Sequence, residues 1–226
     1  MSRVVLKLGG RVARVAAEDA TALRMAGHDV VVVHGAGPQI SSELERLGIP
    51  VSFVGGRRVT SPEALAVVRE SFLQVNAEVC DAIGPDAVGL VGDEIGLQAN
   101  HVPDLGLVGD PLPIAPSAIV AALDAGFVPV VAPLAVHPEL GSLNVNADEA
   151  AAALAVGLGA ERILFVTDVP GVLVDGDLVE AIPVDDADRM LDAGAFEGGI
   201  VPKLTAAVRA ARRGVRAEIG GTSVHG

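Results

Sequence analysis

Aromatic residues are almost missing from this chain: 226 residues include five Phe, no Trp and no Tyr. That excludes the stacking platforms on which single-stranded nucleic acids are usually held. Lysine is nearly as scarce. Of the 16 basic residues only Lys7 and Lys203 are lysine, and the rest are arginine. A single cysteine, Cys80, allows no internal disulfide and no zinc thiolate pair, and the apolar helical run around it predicts a buried structural thiol. The longest stretch free of Asp, Glu, Lys and Arg runs from Ala125 to Pro138 and carries Pro129 and Pro133, so no membrane span is expected. Met1-Ser2-Arg3 passes directly into Val4-Val5-Leu6, too short for a signal-peptide core, and a cytoplasmic location is expected. Positive charge is also in deficit. Against 29 acidic residues the 16 basic ones leave a net charge of -13, which repels polyanions such as nucleic acid and leaves any phosphate-bearing ligand to local donors.

What is present is aliphatic. Half of the residues are hydrophobic, and the core must be built from Val, Leu, Ile and Ala. Short β-branched runs at Val4 to Leu8, Val30 to Val33, Ala87 to Val91, Val128 to Ala132, Ile163 to Thr167 and Val215 to Ile219 predict strands. Between them the patterning predicts helices near 13–26, 38–47, 61–83, 116–125, 147–158, 185–193 and 202–213. This alternation predicts an α/β fold, a three-layer αβα sandwich around a largely parallel central sheet, as one domain over 1–226. Two stretches, Val51 to Val59 and Ile95 to Val108, break the alternation and predict antiparallel hairpins laid over the sheet, where loops commonly cover a ligand.

Six segments carry the candidate chemistry. Leu6-Lys7-Leu8-Gly9-Gly10 places a lysine in a buried strand, where an ammonium needs a partner or a bound anion, unless the strand is an edge and the lysine solvated. His34-Gly35-Ala36-Gly37-Pro38 follows a strand and opens a helix, so its backbone amides and the helix dipole suit an anion; the bland reading is a tight turn. Gly35 and Gly37 form a G-x-G, but Ile40 stands at the third glycine of a dinucleotide fingerprint and Arg57 and Arg58 where its acid belongs, which leaves an NADP-dependent oxidoreductase as a distant alternative. In Gly55-Gly56-Arg57-Arg58-Val59-Thr60 an arginine can grip a carboxylate by two parallel hydrogen bonds, or lie solvated. Asn144, Asn146 and Asp148 alternate at a strand-to-helix junction, as ligand groups or as helix caps. Val166-Thr167-Asp168-Val169-Pro170-Gly171-Val172 is a strand ending in a polar turn. Finally, Gly198-Gly199-Ile200-Val201-Pro202-Lys203 sets a lysine against the positive end of a helix dipole, a conflict that an anion there would remove.

Taken in order, Lys7-Leu8-Gly9-Gly10, His34 to Gly37, Gly56 to Thr60, Asn144 to Asp148, Thr167 to Val172 and Gly198 to Lys203 resemble the amino acid kinase superfamily and, within it, the N-acetylglutamate kinases. The resemblance implies a carbamate kinase-like fold, with residues 1–143 as an acyl-substrate lobe carrying a dimer helix and 144–226 as a nucleotide lobe. It implies transfer of the ATP γ-phosphoryl to the side-chain carboxylate of N-acetyl-L-glutamate in arginine biosynthesis, with Mg2+ riding on the ATP phosphates and no all-protein metal site. Lys7, Lys203 and Asp148 would be catalytic. Gly10, Gly35, Ala36, Gly37, Arg58, Asn144 and Asn146 would bind the acyl substrate. Gly9, Thr167, Asp168, Val169, Pro170, Gly171, Val172, Leu173, Ala195, Phe196, Glu197 and Lys203 would hold the nucleotide.

Ala36 stands at the family's middle glycine, the hairpin between Val91 and Gly109 is short, and Ile219-Gly220-Gly221-Thr222 replaces a further loop and helix. The chain begins at its first strand, without the N-terminal helix of arginine-inhibited hexameric members. The expectation is therefore an arginine-insensitive homodimer built on the 61–83 helix, with any nitrogen-regulatory partner unknown. A sister kinase acting on carrier-bound 2-aminoadipate, aspartate or a nucleoside monophosphate, and a non-catalytic nucleotide-binding protein of the same fold, are the alternatives.

Overall fold

A computed structural model describes residues 2–9, 13–167 and 169–226. The chain runs β1 (Arg3–Leu8), α1 (Ala13–Met25), β2 (Asp29–His34), α2 (Gly37–Arg46), β3 (Phe53–Val54), β4 (Arg57–Arg58), α3 (Pro62–Ile83), β5 (Ala87–Val91), β6 (Ala99–His101) and β7 (Val108–Pro111). It continues through α4 (Ser117–Asp124), β8 (Val128–Ala132), β9 (Leu134–His137), β10 (Gly141–Val145), α5 (Ala147–Gly157), β11 (Arg162–Val166), β12 (Leu173–Val174), β13 (Asp177–Leu178) and β14 (Ala181–Pro183). The last elements are α6 (Val184–Asp192), α7 (Ile200–Ala211), β15 (Arg216–Ile219) and β16 (Thr222–His225).

An eight-stranded sheet in the order β14-β16-β15-β11-β1-β2-β8-β5 forms the middle layer. Its pairings are parallel except β15 with β16. The aliphatic runs of β1, β2 and β8 are buried on both sides, as a sheet covered by helices requires. On one face Val30, Val32 and Leu6 pack with Ile40, Val68 and Phe72 of α2 and α3. On the other, Val5, Val31 and Phe165 pack with Ile119, Leu154 and Leu204 of α4, α5 and α7. The three-layer sandwich expected from the alternation is the observed architecture. Among the described residues no helix is long and apolar enough to cross a membrane.

Both predicted hairpins form off this sheet. β3 and β4 pair antiparallel, and β6 pairs antiparallel with β7. The second hairpin is larger than expected, because β10 and β9 extend it into a four-stranded sheet of order β6-β7-β10-β9. Cys80 departs from its prediction: it is only partly buried, its Sγ 3.8 Å from Asn76 Oδ1. It sits on the α3 face beside Gly89, and Gly89 belongs to β5, one of the two edge strands of the eight-stranded sheet.

Candidate active site

Lys7 lies on β1 between Val33 of β2 and Phe165 of β11, with 4% of its surface exposed. A central strand leaves no solvated-edge reading. Its ammonium is 2.7 Å from Asp148 Oδ1. Lys203, in the first turn of α7, brings its ammonium to 3.5 Å from the other oxygen, Oδ2. One buried carboxylate thus sits between two cations delivered by opposite ends of the chain. Burial pushes the Lys7 pKa below its ordinary value, Asp148 opposes that shift, and the nearby Lys203 adds to it.

Asp148 is fixed by the start of α5. Asn146 caps that helix: its Oδ1 accepts from the backbone N–H of Asp148 at 2.8 Å and of Glu149 at 3.2 Å. Its Nδ2 donates to the Gly56 carbonyl at 3.0 Å. Although Asn146 borders the cleft beside Lys7 and Arg58, its side chain is engaged at both ends in holding backbone, which is the cap alternative left open by the sequence.

That cleft, about 240 Å³, is lined by Lys7, Gly9, the Gly35-Ala36-Gly37 turn, Arg58 and Asn144. The turn delivers the N-terminus of α2, which has no side-chain cap, so the positive end of its dipole faces the cleft. Ala36 borders the cleft but is only 1% exposed and shares the apolar cluster of Leu8 and Ile40. Arg58 is buried, stacks on Phe53 at 4.6 Å from the ring centre, and donates through Nη2 to Gly37 O at 3.1 Å and Ser41 Oγ at 2.8 Å. Its Nη1 is buried without a hydrogen-bond partner, and burial lowers its pKa. A guanidinium with one arm tied and one unpaired suits an acidic ligand. Asn144 is also buried and donates to Thr60 Oγ1 at 3.0 Å.

A second cavity of about 500 Å³ opens on the other side of Lys203, which lines both. Thr167, Val169, Gly171, Leu173, Ala195, Phe196 and Glu197 line it, together with Gly199 and Ile200, which belong to the sixth candidate segment but not to the expected nucleotide set. Three described residues of the expected nucleotide set lie elsewhere: Gly9 borders the first cleft, and Val172 and Pro170 support the loop beside the second. Val172 is fully buried in the core, its N–H donating to Thr222 Oγ1 at 2.8 Å, and the Pro170 carbonyl accepts from Gly221 N at 2.7 Å. They pin the loop to the β15–β16 turn instead of lining the cavity. Gly10 and Asp168 lie outside the described residues.

A family model described as the amino acid kinase family matches residues 2–221. The chain belongs to the amino acid kinase family. It is therefore an enzyme of the kinase class. Curated relatives place it among the family's acetylglutamate kinases: it is 44% identical to the acetylglutamate kinase of Rubrobacter xylanophilus, over 97% of this chain and 88% of that protein. Identity is 44% with the acetylglutamate kinase of a Nocardioides species, over 94% of this chain and 75% of the relative. With that of Frankia casuarinae it is 42%, where 94% of this chain spans 64% of the relative's length. The solved structure of smu.665 from Streptococcus mutans covers 99% of this chain and 98% of its own at a TM-score of 0.89 and 28% identity. Carbamate kinase from Giardia lamblia bound to AMP-PNP, at 19% identity and a TM-score of 0.76, covers 99% of this chain and 98% of its own and shares the fold.

Sequence reasoning about this family member missed the surroundings of Arg57. The signal was available in part, because consecutive strand residues point to opposite faces, so the two guanidinium groups are expected to meet different partners, although both residues border the cleft. The partners of Arg57, Glu149 and Asp110, are distant in sequence and left no local trace.

Proposed function

We propose that this protein transfers the γ-phosphoryl of ATP to the side-chain carboxylate of N-acetyl-L-glutamate, giving N-acetyl-L-glutamyl 5-phosphate and ADP in arginine biosynthesis. The observation that carries the reading is the Lys7–Asp148–Lys203 cluster at the junction of two clefts, one closed by a half-paired arginine and the other walled by Val169, Leu173, Phe196 and Ile200. The relatives named acetylglutamate kinase supply the acyl acid.

The chemistry follows from charge. A carboxylate is already a nucleophile, so no base is needed: its oxygen forms the new bond to the γ-phosphorus as the bond to the bridging β,γ-oxygen breaks, and no proton moves. Catalysis is then alignment and charge stabilisation. Lys7, Lys203 and Arg58 against Asp148 leave the site locally positive in a chain of net charge -13, so phosphates are held by local donors. Arg58 holds the acid's remaining carboxylate, and the Gly35 to Gly37 turn, with the N-terminus of α2, faces the transferred group. Lys7 meets the phosphoryl from the acyl side and Lys203 from the nucleotide side, while Asp148 sets the spacing of the two ammonium groups. Mg2+ would be carried on the ATP phosphates, where it would neutralise their charge.

The division into an acyl lobe over 1–143 and a nucleotide lobe over 144–226 is part of the same reading, as is a homodimer built on α3. Leu73, an exposed leucine on that helix, supports the dimer, and a monomeric mass in solution would remove it. The activity is tested by incubating enzyme, MgATP and N-acetylglutamate with hydroxylamine. An acyl phosphate is trapped as the hydroxamate, and ADP released without hydroxamate would refute a carboxylate acceptor.

A further inference from the structure

Two pairs of adjacent residues divide their side chains between the reacting cluster and a second ion cluster behind it. On β4 both arginines border the acyl cleft, but their guanidinium groups part: Arg58 donates to Gly37 and Ser41, and Arg57 to Glu149 and Asp110. On α5, Asp148 meets the two lysines, and Glu149, about 100° further round the helix, meets Arg57. Arg57 Nε lies 3.0 Å from both carboxylate oxygens of Glu149. Its Nη2 donates to Asp110 Oδ1 at 2.8 Å, and that same oxygen accepts from Arg209 Nη1 of α7 at 2.9 Å. The side chains of Glu149 and Arg57 are 8% and 15% exposed. The pair is shielded, so its geometry is more strongly determined than that of a surface ion pair.

The hairpin that carries Arg58 needs such an anchor. β3 and β4 are two residues each, and an isolated hairpin is marginal in water. Phe53 and Val54 are 54% and 58% exposed, so little apolar burial fastens β3. The turn meets the body at Gly56, which takes φ +78°, accepts from Asn146 Nδ2, and lies so close to α7 that a methyl group there would be 2.9 Å from Pro202 Cβ. Pro202 immediately precedes Lys203. The charged link from the hairpin to α5, β7 and α7 is Arg57.

We propose that Arg57, through Glu149 and Asp110, is the positioning residue that registers the acyl-substrate hairpin against the catalytic helix α5 and, by way of Arg209, against the lysine-bearing helix α7. Arg57 acts through Arg58 and the frame around it, not on the reacting atoms. The inference rests on the carboxylate-kinase reading of this site. Its consequence is that acyl-acid affinity and alignment depend on a cluster outside the reacting groups, since a displacement near 1 Å can cost about a hundredfold in rate.

The test is a double-mutant cycle with Arg57→Ala and Glu149→Gln, measured as kcat and KM for each substrate, with melting temperatures and Arg24→Ala, whose partner is Asp86, as the remote control. The expected result is a KM for the acyl acid raised about tenfold or more in each single variant, a KM for ATP changed less than about threefold, and a double variant no worse than the worse single one. Glu149→Gln keeps the side-chain shape and carries the comparison should Arg57→Ala fail to fold. Single variants within about twofold of the wild type, or effects that simply add, overturn the proposal. So does a loss shared equally by both substrates and matched by a fall in melting temperature, which is the mark of plain destabilisation. Should the wild type use another acid, the functional reading fails by itself and the cycle is run on that acid.

Discussion

Lys7 and Lys203, the chain's two lysines, are held at opposite oxygens of a single carboxylate, that of Asp148, at 2.7 and 3.5 Å. Arginine occupies the other basic positions. A compact ammonium on a flexible stem can follow a moving phosphoryl group, whereas a planar guanidinium needs a fixed fork of acceptors. Removing one preorganised charge donor of this kind costs about 10² to 10³ in kcat. Lys7→Arg and Lys203→Arg are each expected to lower kcat by at least about a hundredfold while circular dichroism keeps the wild-type spectrum. Near-normal turnover in both would reduce the pairing to a structural ion bridge.

Asp148 also sets the protonation of Lys7. Burial holds the Lys7 pKa below 10.5 and Asp148 pulls it back upward. Converting the carboxylate to an amide removes that support, so in Asp148→Asn the Lys7 pKa falls further and the ammonium is lost at lower pH. The expected outcome is a lower kcat and an alkaline limb of the kcat–pH profile displaced toward neutrality. An alkaline limb that stays where the wild type has it would separate Lys7 from that limb.

His34 gives a stability signature independent of turnover. It is 1% exposed at the end of β2, with Nε2 at 3.1 Å from Asn76 Nδ2, an amide that also donates to the Val130 carbonyl at 2.9 Å. Burial lowers its pKa from 6.5 to about 4. The folded state therefore binds the proton less readily than the unfolded chain. The contribution of neutral His34 is complete above about pH 6.5 and is lost as the pH falls toward 4, amounting to about 3 kcal/mol by linkage. His34→Gln removes this titration. The stability difference between wild type and variant, from urea unfolding at several pH values, is expected to shift by about that amount between pH 7 and 4 in the variant's favour. A difference that stays constant across this range would contradict the buried neutral imidazole.

The parts of the fold legible in the sequence are those with a strong local cause. β1, β2 and β8 read as strands because both faces are buried, and α3 reads as a helix because Ser61, Pro62 and Glu63 mark its start; Ser61 Oγ accepts from Ala64 N at 3.2 Å. β9 left no signal because Pro133 and Pro138 break the pattern around it, and of β10 only its end showed, as the strand-to-helix junction at Asn144 to Asp148. β12, β13, β14 and β16 span two to four residues, too few to show a period, and exist through pairings such as Ile182 with Val224. For the site, glycine turns and the two lysines were visible because they violate local preference. Asn146 as a cap, Pro170 and Val172 as loop supports, and the Arg57–Glu149 pair depend on long-range packing that no spacing encodes.

The account stands or falls on the acceptor. ADP release from MgATP, measured side by side with N-acetylglutamate, glutamate, aspartate and N-acetylaminoadipate, tests it most directly. The expected result is a kcat/KM for N-acetylglutamate at least about tenfold above each of the other three. Equal rates across the acids, or a preference for N-acetylaminoadipate, would contradict it.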